Sequence, residues 1–273
     1  MTTEQVQTPP EWLALREPVD AAARSAELVE EIRRYLPPTS GTTVHDLGCG
    51  TGSMPRWLAP RLTGAQHWVL YDRDAGLLAR AAGDPPDAAA DGAPVTMRTR
   101  LRDVTRLYPE ELAGANLITA SALLDVMTSD ELERLVATCA GVGCPVLITL
   151  SVTGRVELTP TDPFDRRVAD AFNAHQRRTV GARRLLGPEA VGAAVAGFTR
   201  LGFDVLVRSS PWRLGPGRSA LVATWFAGWL AAASEQSPEL TAVFSYGRRR
   251  LAEAAEGRLS VTVSHADLLA RPG

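Results

Sequence analysis

Residues 46–52 combine an acidic residue with three alternating glycines, in the order Asp-Leu-Gly-Cys-Gly-Thr-Gly. Residues 42–46 are predicted to form a short strand, and Ser53 followed by Pro55 is typical of a helix start. Glycine tolerates a positive φ and lets a ligand approach the backbone where a Cβ would collide. A strand, a glycine-rich turn and a helix in this order predict the first unit of a nucleotide-type binding site.

The spacing of the glycines bears on the type of nucleotide. A dinucleotide-binding fingerprint requires G-x-G-x-x-G, but here the third glycine, Gly52, comes one residue early and Ser53 occupies the last position. The spacing therefore disfavours an NAD-linked oxidoreductase, although that activity stays open as an alternative.

Acidic residues mark the ends of three successive predicted strands, at Asp46, Asp72 and Asp103. Ligands of open α/β sheets bind outside the carboxyl ends of the strands, so these side chains are predicted to share one edge. Asp72 follows Gly52 by 20 residues, which is the place of a carboxylate that accepts hydrogen bonds from ribose hydroxyls. A turn or helix cap is the other interpretation of Asp72 and of Asp103.

This arrangement resembles motif I and the following strands of the class I S-adenosylmethionine (SAM)-dependent methyltransferases, over about residues 40–150. The resemblance implies SAM as the cofactor, with Asp103 at the adenine amino group and Ala120 and Ser121 beside the methionine part. An N-terminal helical segment covers the cofactor edge in many such proteins, so Arg16 or Arg24 could reach the cofactor's carboxylate. The cofactor-binding residues predicted in this way are Asp46, Gly48, Cys49, Gly50, Gly52, Asp72, Arg73, Arg102, Asp103, Val104, Ala120, Ser121 and Arg24.

The chemistry that the resemblance implies sets a limited demand on the protein. The sulfonium group is already an activated leaving group, so the protein has to align the reactants and exclude water. A general base is needed only when the acceptor atom carries a proton. Residues that could face the strand ends are Asp125, Asp162, Asp165 and His175. Of these, Asp125 and His175 are predicted to be catalytic, and a surface or packing role is the alternative for His175.

The fold predicted around these residues is α/β, a Rossmann-like doubly wound sheet with N-terminal helices and helical cap insertions. Four segments follow from the order of predicted strands and helices: an N-terminal helical part (1–40), a SAM-binding core (41–158), a helical insertion (159–187) and the remainder of the core (188–273). The last segment contains a second helical insertion at about 216–257.

Two boundaries in this scheme depend on single features. Pro18 predicts a break between a short first helix and a longer second helix within residues 11–36. The final strand is predicted at 259–264, after the second insertion. The aromatic residues Trp225, Phe226 and Trp229 of that insertion suit core packing, a pocket wall or a homodimer contact.

Composition excludes several classes of function. All 29 basic residues among 273 are arginine, which excludes lysine Schiff-base chemistry, pyridoxal-phosphate attachment and a P-loop. Three cysteines and four histidines lie at spacings that predict no metal site. The sequence contains neither a signal peptide nor an apolar run of ~20 residues, so a cytoplasmic protein without a membrane segment is expected.

The net charge of −2 provides no general attraction to nucleic acid. The run Arg248-Arg249-Arg250 and the arginine pairs of residues 166–184 are compatible with an anionic acceptor or with a solvated surface. The expected function is SAM-dependent methylation of a small molecule, with oxygen preferred as the acceptor atom. The alternative is a SAM-binding protein of the same fold that does not methylate, either a regulator or a cyclisation scaffold.

Overall fold

The computed structural model describes residues 9–36, 41–240 and 243–273. The helices are α1 (Pro10–Ala23), α2 (Ala26–Arg33), α3 (Ser53–Leu58), α4 (Ala75–Gly83), α5 (Ser129–Val142), α6 (Asp165–Gln176), α7 (Ala190–Arg200), α8 (Ser219–Gln236) and α9 (Val243–Ala255). The strands are β1 (Thr42–Leu47), β2 (Gln66–Asp72), β3 (Val95–Leu101), β4 (Leu117–Ser121), β5 (Val146–Thr159), β6 (Thr179–Val180), β7 (Arg183–Arg184), β8 (Phe203–Ser209), β9 (Trp212–Leu214) and β10 (Ser260–Pro272).

The sheet that organises the described chain has eight strands. Seven of them lie in the order β3-β2-β1-β4-β5-β10-β8, and β9 pairs with β10 beyond the end of β8. Strands β1 to β5 are parallel, whereas β10 is antiparallel to both of its neighbours in that order. The order reverses between β1 and β4, which places a crevice at the carboxyl ends of these strands. The predicted α/β class with a Rossmann-like doubly wound sheet is confirmed.

The predicted break at Pro18 is wrong. Helix α1 continues through Pro18, and the chain leaves the helix only at Arg24, whose backbone turns to φ −56° and ψ 140°. An internal proline removes one helical hydrogen bond, and here packing of α1 on the core compensates for that loss. Ser25 then caps α2 by accepting a hydrogen bond from the Leu28 backbone N–H, so the second helix is the shorter one.

The final strand is much longer than predicted. β10 runs from Ser260 to Pro272 and pairs with β5 along nearly its whole length. Two register shifts interrupt this ladder, one between Val263 and His265 and one between Ala266 and Leu268. These irregularities break the period-two pattern by which a strand is recognised, which is why the second half of β10 was missed.

Two helical insertions form a cap with its own hydrophobic core. Helices α6, α8 and α9 pack there against β9 and the outer halves of β5 and β10. Phe226 and Trp229 lie inside this core and are almost fully buried, which assigns them to packing. The buried Arg250 on α9 donates hydrogen bonds to both carboxylate oxygens of Asp165 and to Glu253.

Candidate active site at the carboxyl ends of β1, β2 and β4

The glycine loop after β1 has the conformation that its sequence predicts. Gly48, Gly50 and Gly52 adopt φ values of 69°, 56° and 84°, in the left-handed region that disfavours other residues. A Cβ on Gly48 would lie 3.0 Å from a methyl carbon of Leu123, and one on Gly50 would lie 3.4 Å from Leu13 of α1. The loop is therefore narrow, with α1 on one side and the segment after β4 on the other.

Asp72 braces this loop from the end of β2. Its Oδ2 accepts a hydrogen bond from the Gly50 backbone N–H at 2.9 Å, and its Oδ1 accepts one from the Asp74 N–H at 3.0 Å. The side chain remains partly exposed. Each carboxylate oxygen can accept a further hydrogen bond, so Asp72 can hold the loop and ribose hydroxyls together.

Asp46 lies beneath the loop and is almost completely buried. Thr119 on β4 donates a hydrogen bond from its hydroxyl to Asp46 Oδ1 at 2.7 Å, and Asp46 Oδ2 has no partner. Burial raises the pKa of Asp46 to about 7, against the opposing effects of the Thr119 hydrogen bond and the Arg24 charge. A buried carboxylate with a free oxygen is suited to a cationic ligand above it.

Arg24 reaches into the same crevice from the junction between α1 and α2. It is 4% exposed, and its Nη2 donates to the Ser53 hydroxyl at 2.9 Å and to the Ser121 hydroxyl at 3.1 Å. Its Nε is buried without a partner. Burial lowers the pKa of Arg24, whereas the charges of Asp20 and Asp46 raise it. Arg24 thus links the start of α3 to the end of β4 and retains an unused donor.

Two strained residues lie close to the crevice, one just after β4 and one within β5. Ala122 has a φ of 50° and Leu150 a φ of 57°, although neither is glycine. The Ala122 N–H donates to the Thr149 carbonyl, and the Thr149 hydroxyl donates to the Ser121 hydroxyl at 3.0 Å. Strained backbone of this kind clusters at functional sites, where the surrounding structure maintains it.

Asp103, predicted to contact adenine, lies after β3 near three other predicted cofactor-binding residues, Arg73, Arg102 and Val104. The Asp103 carboxylate accepts hydrogen bonds from the N–H and hydroxyl of Thr105, which is the capping arrangement named as the alternative. Arg102 forms an ion pair with Glu111 at 2.9 Å, and Arg73 is exposed. Val104 is buried behind Asp103. An adenine role for these residues stays a prediction.

Two reactive side chains of the loop region are held inert. Burial raises the pKa of the Cys49 thiol far above its ordinary value, so its nucleophilic thiolate is absent at neutral pH. The His45 ring accepts or donates a hydrogen bond with the Tyr71 hydroxyl at 3.1 Å. Burial lowers the pKa of His45 to about 4, with Arg98 and His67 acting in the same direction. Ala120, in register with Leu47 on β1, is buried as a filler of the sheet.

Asp125 lies in the turn that follows β4. The residue is partly exposed, but packed atoms surround its carboxylate, and burial raises its pKa. Its own backbone N–H and the charge of Arg16 on α1 act in the opposite direction. Arg16 also forms an ion pair with Asp20 at 2.9 Å and lies over the ring of Trp212 at 4.9 Å. The predicted catalytic residue Asp125 therefore faces the helix that covers the glycine loop.

His175 lies in α6, within the cap. It is almost completely buried, and its pKa is lowered by burial and by Arg178, with Glu235 of α8 acting in the opposite direction. These charged neighbours belong to the cap, whereas those of Asp125 belong to α1. Among the described residues, His175 and Asp125 therefore have no charged neighbour in common. A catalytic role for His175 stays a prediction.

Asp162 and Asp165, also considered as bases, have structural partners instead. Asp162 forms an ion pair with Arg249, and Asp165 accepts hydrogen bonds from Arg250 and, at 2.6 Å, from the Tyr246 hydroxyl. The arginines of the first insertion also have partners: Arg183 donates to both carboxylate oxygens of Glu131. The pairs of Asp162 and Asp165 hold α6 and α9 of the cap together, whereas the Arg183–Glu131 pair joins the first insertion to α5 of the core.

Two buried polar residues of β10, His265 and Asp267, were not predicted as part of the site from the sequence. His265 on β10 is 5% exposed, its ring centroid lies 5.3 Å from that of Trp212, and its Nδ1 has no partner. Two residues further along, the fully buried Asp267 accepts hydrogen bonds from three different segments. The sequence contains one indication of this arrangement: His265 and Asp267 are polar residues at alternate positions within an apolar stretch. Such spacing is typical of two side chains on one face of a strand.

The described residues contain neither a membrane-spanning helix nor a metal-binding cluster. Across residues 9–36, 41–240 and 243–273, no helix combines the length and apolar content that a bilayer span requires. Within the same ranges, no three His, Cys, Asp or Glu side chains are grouped so that they could hold a metal ion.

Residues 44–145 match the sequence profile of a family described as a methyltransferase domain. The chain contains a class I methyltransferase domain. The matched span begins in β1 and ends just before β5, so it includes the glycine loop and the carboxyl ends of β2 and β4. SAM is the cofactor of this domain. No curated protein matches the chain in sequence.

Solved structures provide the comparison for the whole chain. A candidate methyltransferase from Bacillus halodurans C-125 is 14% identical with a TM-score of 0.50, and the match covers 90% of this chain and 98% of that one. At this identity the likeness shows the fold alone.

Two further structures are similar at lower TM-scores. A SAM-dependent methyltransferase from Geobacter sulfurreducens in complex with S-adenosylhomocysteine (SAH) is 17% identical with a TM-score of 0.43, over 98% of this chain and 100% of that one. A phosphoethanolamine N-methyltransferase from Haemonchus contortus, bound to phosphomonomethylethanolamine and SAH, is 17% identical with a TM-score of 0.47 over 99% of this chain. The methyltransferase chain described here spans 60% of that protein's length.

The site of the methyltransferase fits SAM. The cofactor has a cationic sulfonium and an anionic carboxylate close together. The crevice offers an unpartnered Asp46 oxygen and an unpartnered Arg24 nitrogen, both buried. Such orphaned polar atoms are rare in folded proteins and call for a missing partner.

Proposed function

We propose that this protein transfers a methyl group from SAM to an oxygen atom of a small molecule. The observation that carries the proposal is the buried pair of unused polar atoms, Asp46 Oδ2 and Arg24 Nε, at the edge of the glycine loop. Their opposite charges complement the two charged ends of the methionine part of SAM. Arg24 also contacts Ser121, the residue predicted to lie beside that part.

The roles of the remaining cofactor residues follow from their positions. The backbone of the glycine loop lies against the cofactor, and Asp72 accepts hydrogen bonds from the ribose hydroxyls. Leu13 on α1 covers the loop and excludes water. Asp103 and Val104 hold the adenine ring at the outer end.

Asp125 is the residue that we assign to the acceptor's proton. When bound, SAM supplies a methyl group on an activated sulfur leaving group. Asp125 would accept the proton that the acceptor hydroxyl loses during methyl transfer, for which the products would be a methyl ether and SAH. Burial raises the pKa of Asp125, and a base with a raised pKa is better matched to this task near neutral pH. His175 remains a second candidate for the proton.

The enclosure of the site supports a small acceptor. Trp12 and Arg16 of α1 lie against Trp212 of β9, with ring centroids 6.2 Å apart for the two tryptophans. This contact joins α1 to the cap strands above the glycine loop. A polymer would need an open groove at this position.

Thermal unfolding with candidate cofactors tests the first part of the proposal. A ligand at ~100 times its Kd stabilises the folded state by about 2.7 kcal/mol. We expect SAM and SAH to raise the Tm and NAD to leave it unchanged, and the reverse result would overturn the proposal.

Transfer of a radiolabelled methyl group into metabolite extracts tests the second part. We expect a labelled product that is stable to alkali, as an ether is and an ester is not. SAM binding without any labelled product would favour the non-methylating alternative. With the acceptor identified, Asp125→Asn should lower kcat by about 10²-fold while SAH affinity is retained, and His175→Ala measured in parallel separates the two candidate bases.

A further inference from the structure

We infer that Asp267 is a positioning residue for the amino-acid end of the cofactor, acting through Arg24. This inference rests on the proposed function, since it assumes that Arg24 binds the carboxylate of SAM. Asp267 lies on β10, outside the span that matches the methyltransferase profile. Nothing in the glycine loop or in the strand-end acids points to it.

Three donors from separate segments converge on the Asp267 carboxylate. Its Oδ2 accepts a hydrogen bond from the Ser25 backbone N–H at 2.8 Å. Its Oδ1 accepts one from the Leu150 N–H at 2.8 Å and one from the Ser210 hydroxyl at 2.5 Å. The residue is 0% exposed, so all of these bonds lie in the protein interior. Hydrogen bonds to a buried charged acceptor are strong and directional.

The bond to Ser25 fixes the peptide group that carries Arg24. Ser25 N–H belongs to the peptide plane between Arg24 and Ser25, at the point where the chain leaves α1. The Arg24 N–H donates to the Asp20 carbonyl on the other side. Arg24 therefore begins from a backbone held at both ends, and its side chain reaches Ser53 and Ser121 from there.

The same carboxylate also holds the strained residue of β5. Leu150, with its φ of 57°, donates its N–H to Asp267 at the bulge between Ala266 and Leu268. Asp267 is in addition a counter-charge for the buried guanidinium of Arg24. The Asp267 side chain thus fixes the backbone beside Arg24, balances the charge of Arg24 and holds the strained backbone at Leu150 within β5.

The affinities of two ligands, compared with each other, distinguish a loss of Arg24 positioning from general damage to the site. SAH carries the amino-acid group that Arg24 would bind, whereas 5′-methylthioadenosine has the same nucleoside and sulfur without that group. We would measure the Kd of both ligands by calorimetry for Asp267→Asn, whose amide N–H₂ group faces donors. The ratio of the SAH Kd to the methylthioadenosine Kd should rise by about tenfold.

A backbone variant tests the same link without removing the carboxylate. Ser25→Pro deletes the N–H that donates to Asp267, and proline suits this position because Ser25 has a φ of −71° and Arg24 is extended. Ser25→Ala is the matched control, since both variants lose the side-chain cap of α2 and only the proline loses the N–H. Asp165→Asn controls for loss of a partly buried, hydrogen-bonded carboxylate in the cap. We expect the ratio to rise for Ser25→Pro and to stay unchanged for both controls.

Arg24→Met distinguishes the failure of this inference from that of the proposed function. If Arg24→Met leaves the ratio unchanged, Arg24 does not bind the carboxylate and that part of the proposed function is wrong. If Arg24→Met raises the ratio but Asp267→Asn and Ser25→Pro weaken both ligands equally, the role of Asp267 is structural and the inference is overturned. Wild-type protein that binds neither ligand would contradict the assignment of the cofactor site itself.

Discussion

Glu17 and Arg56 form a bidentate ion pair that joins α1 to the helix after the glycine loop. The Arg56 Nε and Nη2 atoms each lie 2.7 Å from one Glu17 carboxylate oxygen, and both side chains are mostly buried. Arg56 also donates to the Thr51 carbonyl inside the loop. Helix α1 is thereby tied directly to the glycine loop, where we propose that the cofactor binds.

Loss of the Glu17–Arg56 ion pair should let α1 move away from the glycine loop more readily. For Glu17→Gln we expect SAH to dissociate several-fold faster and the free energy of unfolding to fall by about 1 kcal/mol, since a partly exposed pair contributes little more. Stopped-flow fluorescence measures the dissociation rate. Glu30→Gln, which breaks the exposed pair with Arg33, is the control and should leave the rate unchanged.

Asp72→Asn should weaken cofactor binding more than it weakens the fold. An amide accepts hydrogen bonds on one oxygen only, so the bonds from the Gly50 and Asp74 N–H groups cannot both be kept, and a single oxygen is left to accept from the ribose. We expect the Kd of SAH to rise at least tenfold. Asp91→Asn is a matched control, because Asp91 also accepts two backbone hydrogen bonds, from Gly64 and Ala93, in a loop away from the site. Equal losses of SAH affinity in both variants would contradict the ribose role.

Gly48→Ala should combine backbone strain with a closed cofactor path. Alanine at a φ of 69° costs on the order of 1–2 kcal/mol, and its Cβ would lie 3.0 Å from Leu123. Gly64→Ala carries the same kind of strain at a φ of 82° in open space. Urea unfolding should show similar destabilisation for both variants, whereas the SAH-induced rise in Tm should disappear only for Gly48→Ala. Retention of that rise would show that the loop does not approach the cofactor at Gly48.

Asp46 makes stability depend on pH in a defined direction. The pKa is raised to about 7 in the folded protein from an ordinary value of 3.8, so the folded state holds a proton that the unfolded state has released. The contribution of Asp46 to stability is therefore complete below pH ~4 and is lost as the pH rises to ~7. The Asp46→Asn side chain does not titrate, so this variant does not lose stability in the same way as the pH rises. Its amide oxygen can still accept the hydrogen bond from the Thr119 hydroxyl.

The measurement is a set of thermal unfolding curves for wild type and Asp46→Asn from pH 4 to pH 8. We expect the variant to gain Tm relative to wild type across this range, with a difference at pH 8 equivalent to more than ~1 kcal/mol. SAM affinity should fall at the same time, because the variant cannot place a negative charge below the sulfonium group. A Tm difference that is constant across the pH range would mean that Asp46 is already ionised at pH 4.

Local patterns in the sequence predicted the conformation of the glycine loop and the end of β2 at Asp72. The glycine spacing at Gly48 and the acid at the end of β2 are short-range signals, since each depends on a strand end and the turn that follows it. The contacts of Asp267 are different, because they join positions 57, 117 and 242 residues apart in the chain. No pattern of neighbouring residues indicates such a convergence. Pro18 failed as a signal because packing of α1 outweighed its local cost.

Three of the four chain crossings between core and cap lie side by side in one ladder. β5 ends at Thr159 opposite Ser260, where β10 begins, and Val261 is paired with Leu214 at the end of β9. Both cap segments therefore leave or rejoin the core at neighbouring rungs, far from the glycine loop in sequence. A different cap could therefore be joined to the core at these strand positions. Such an exchange would change the choice of acceptor while the SAM-binding part of the core stays intact.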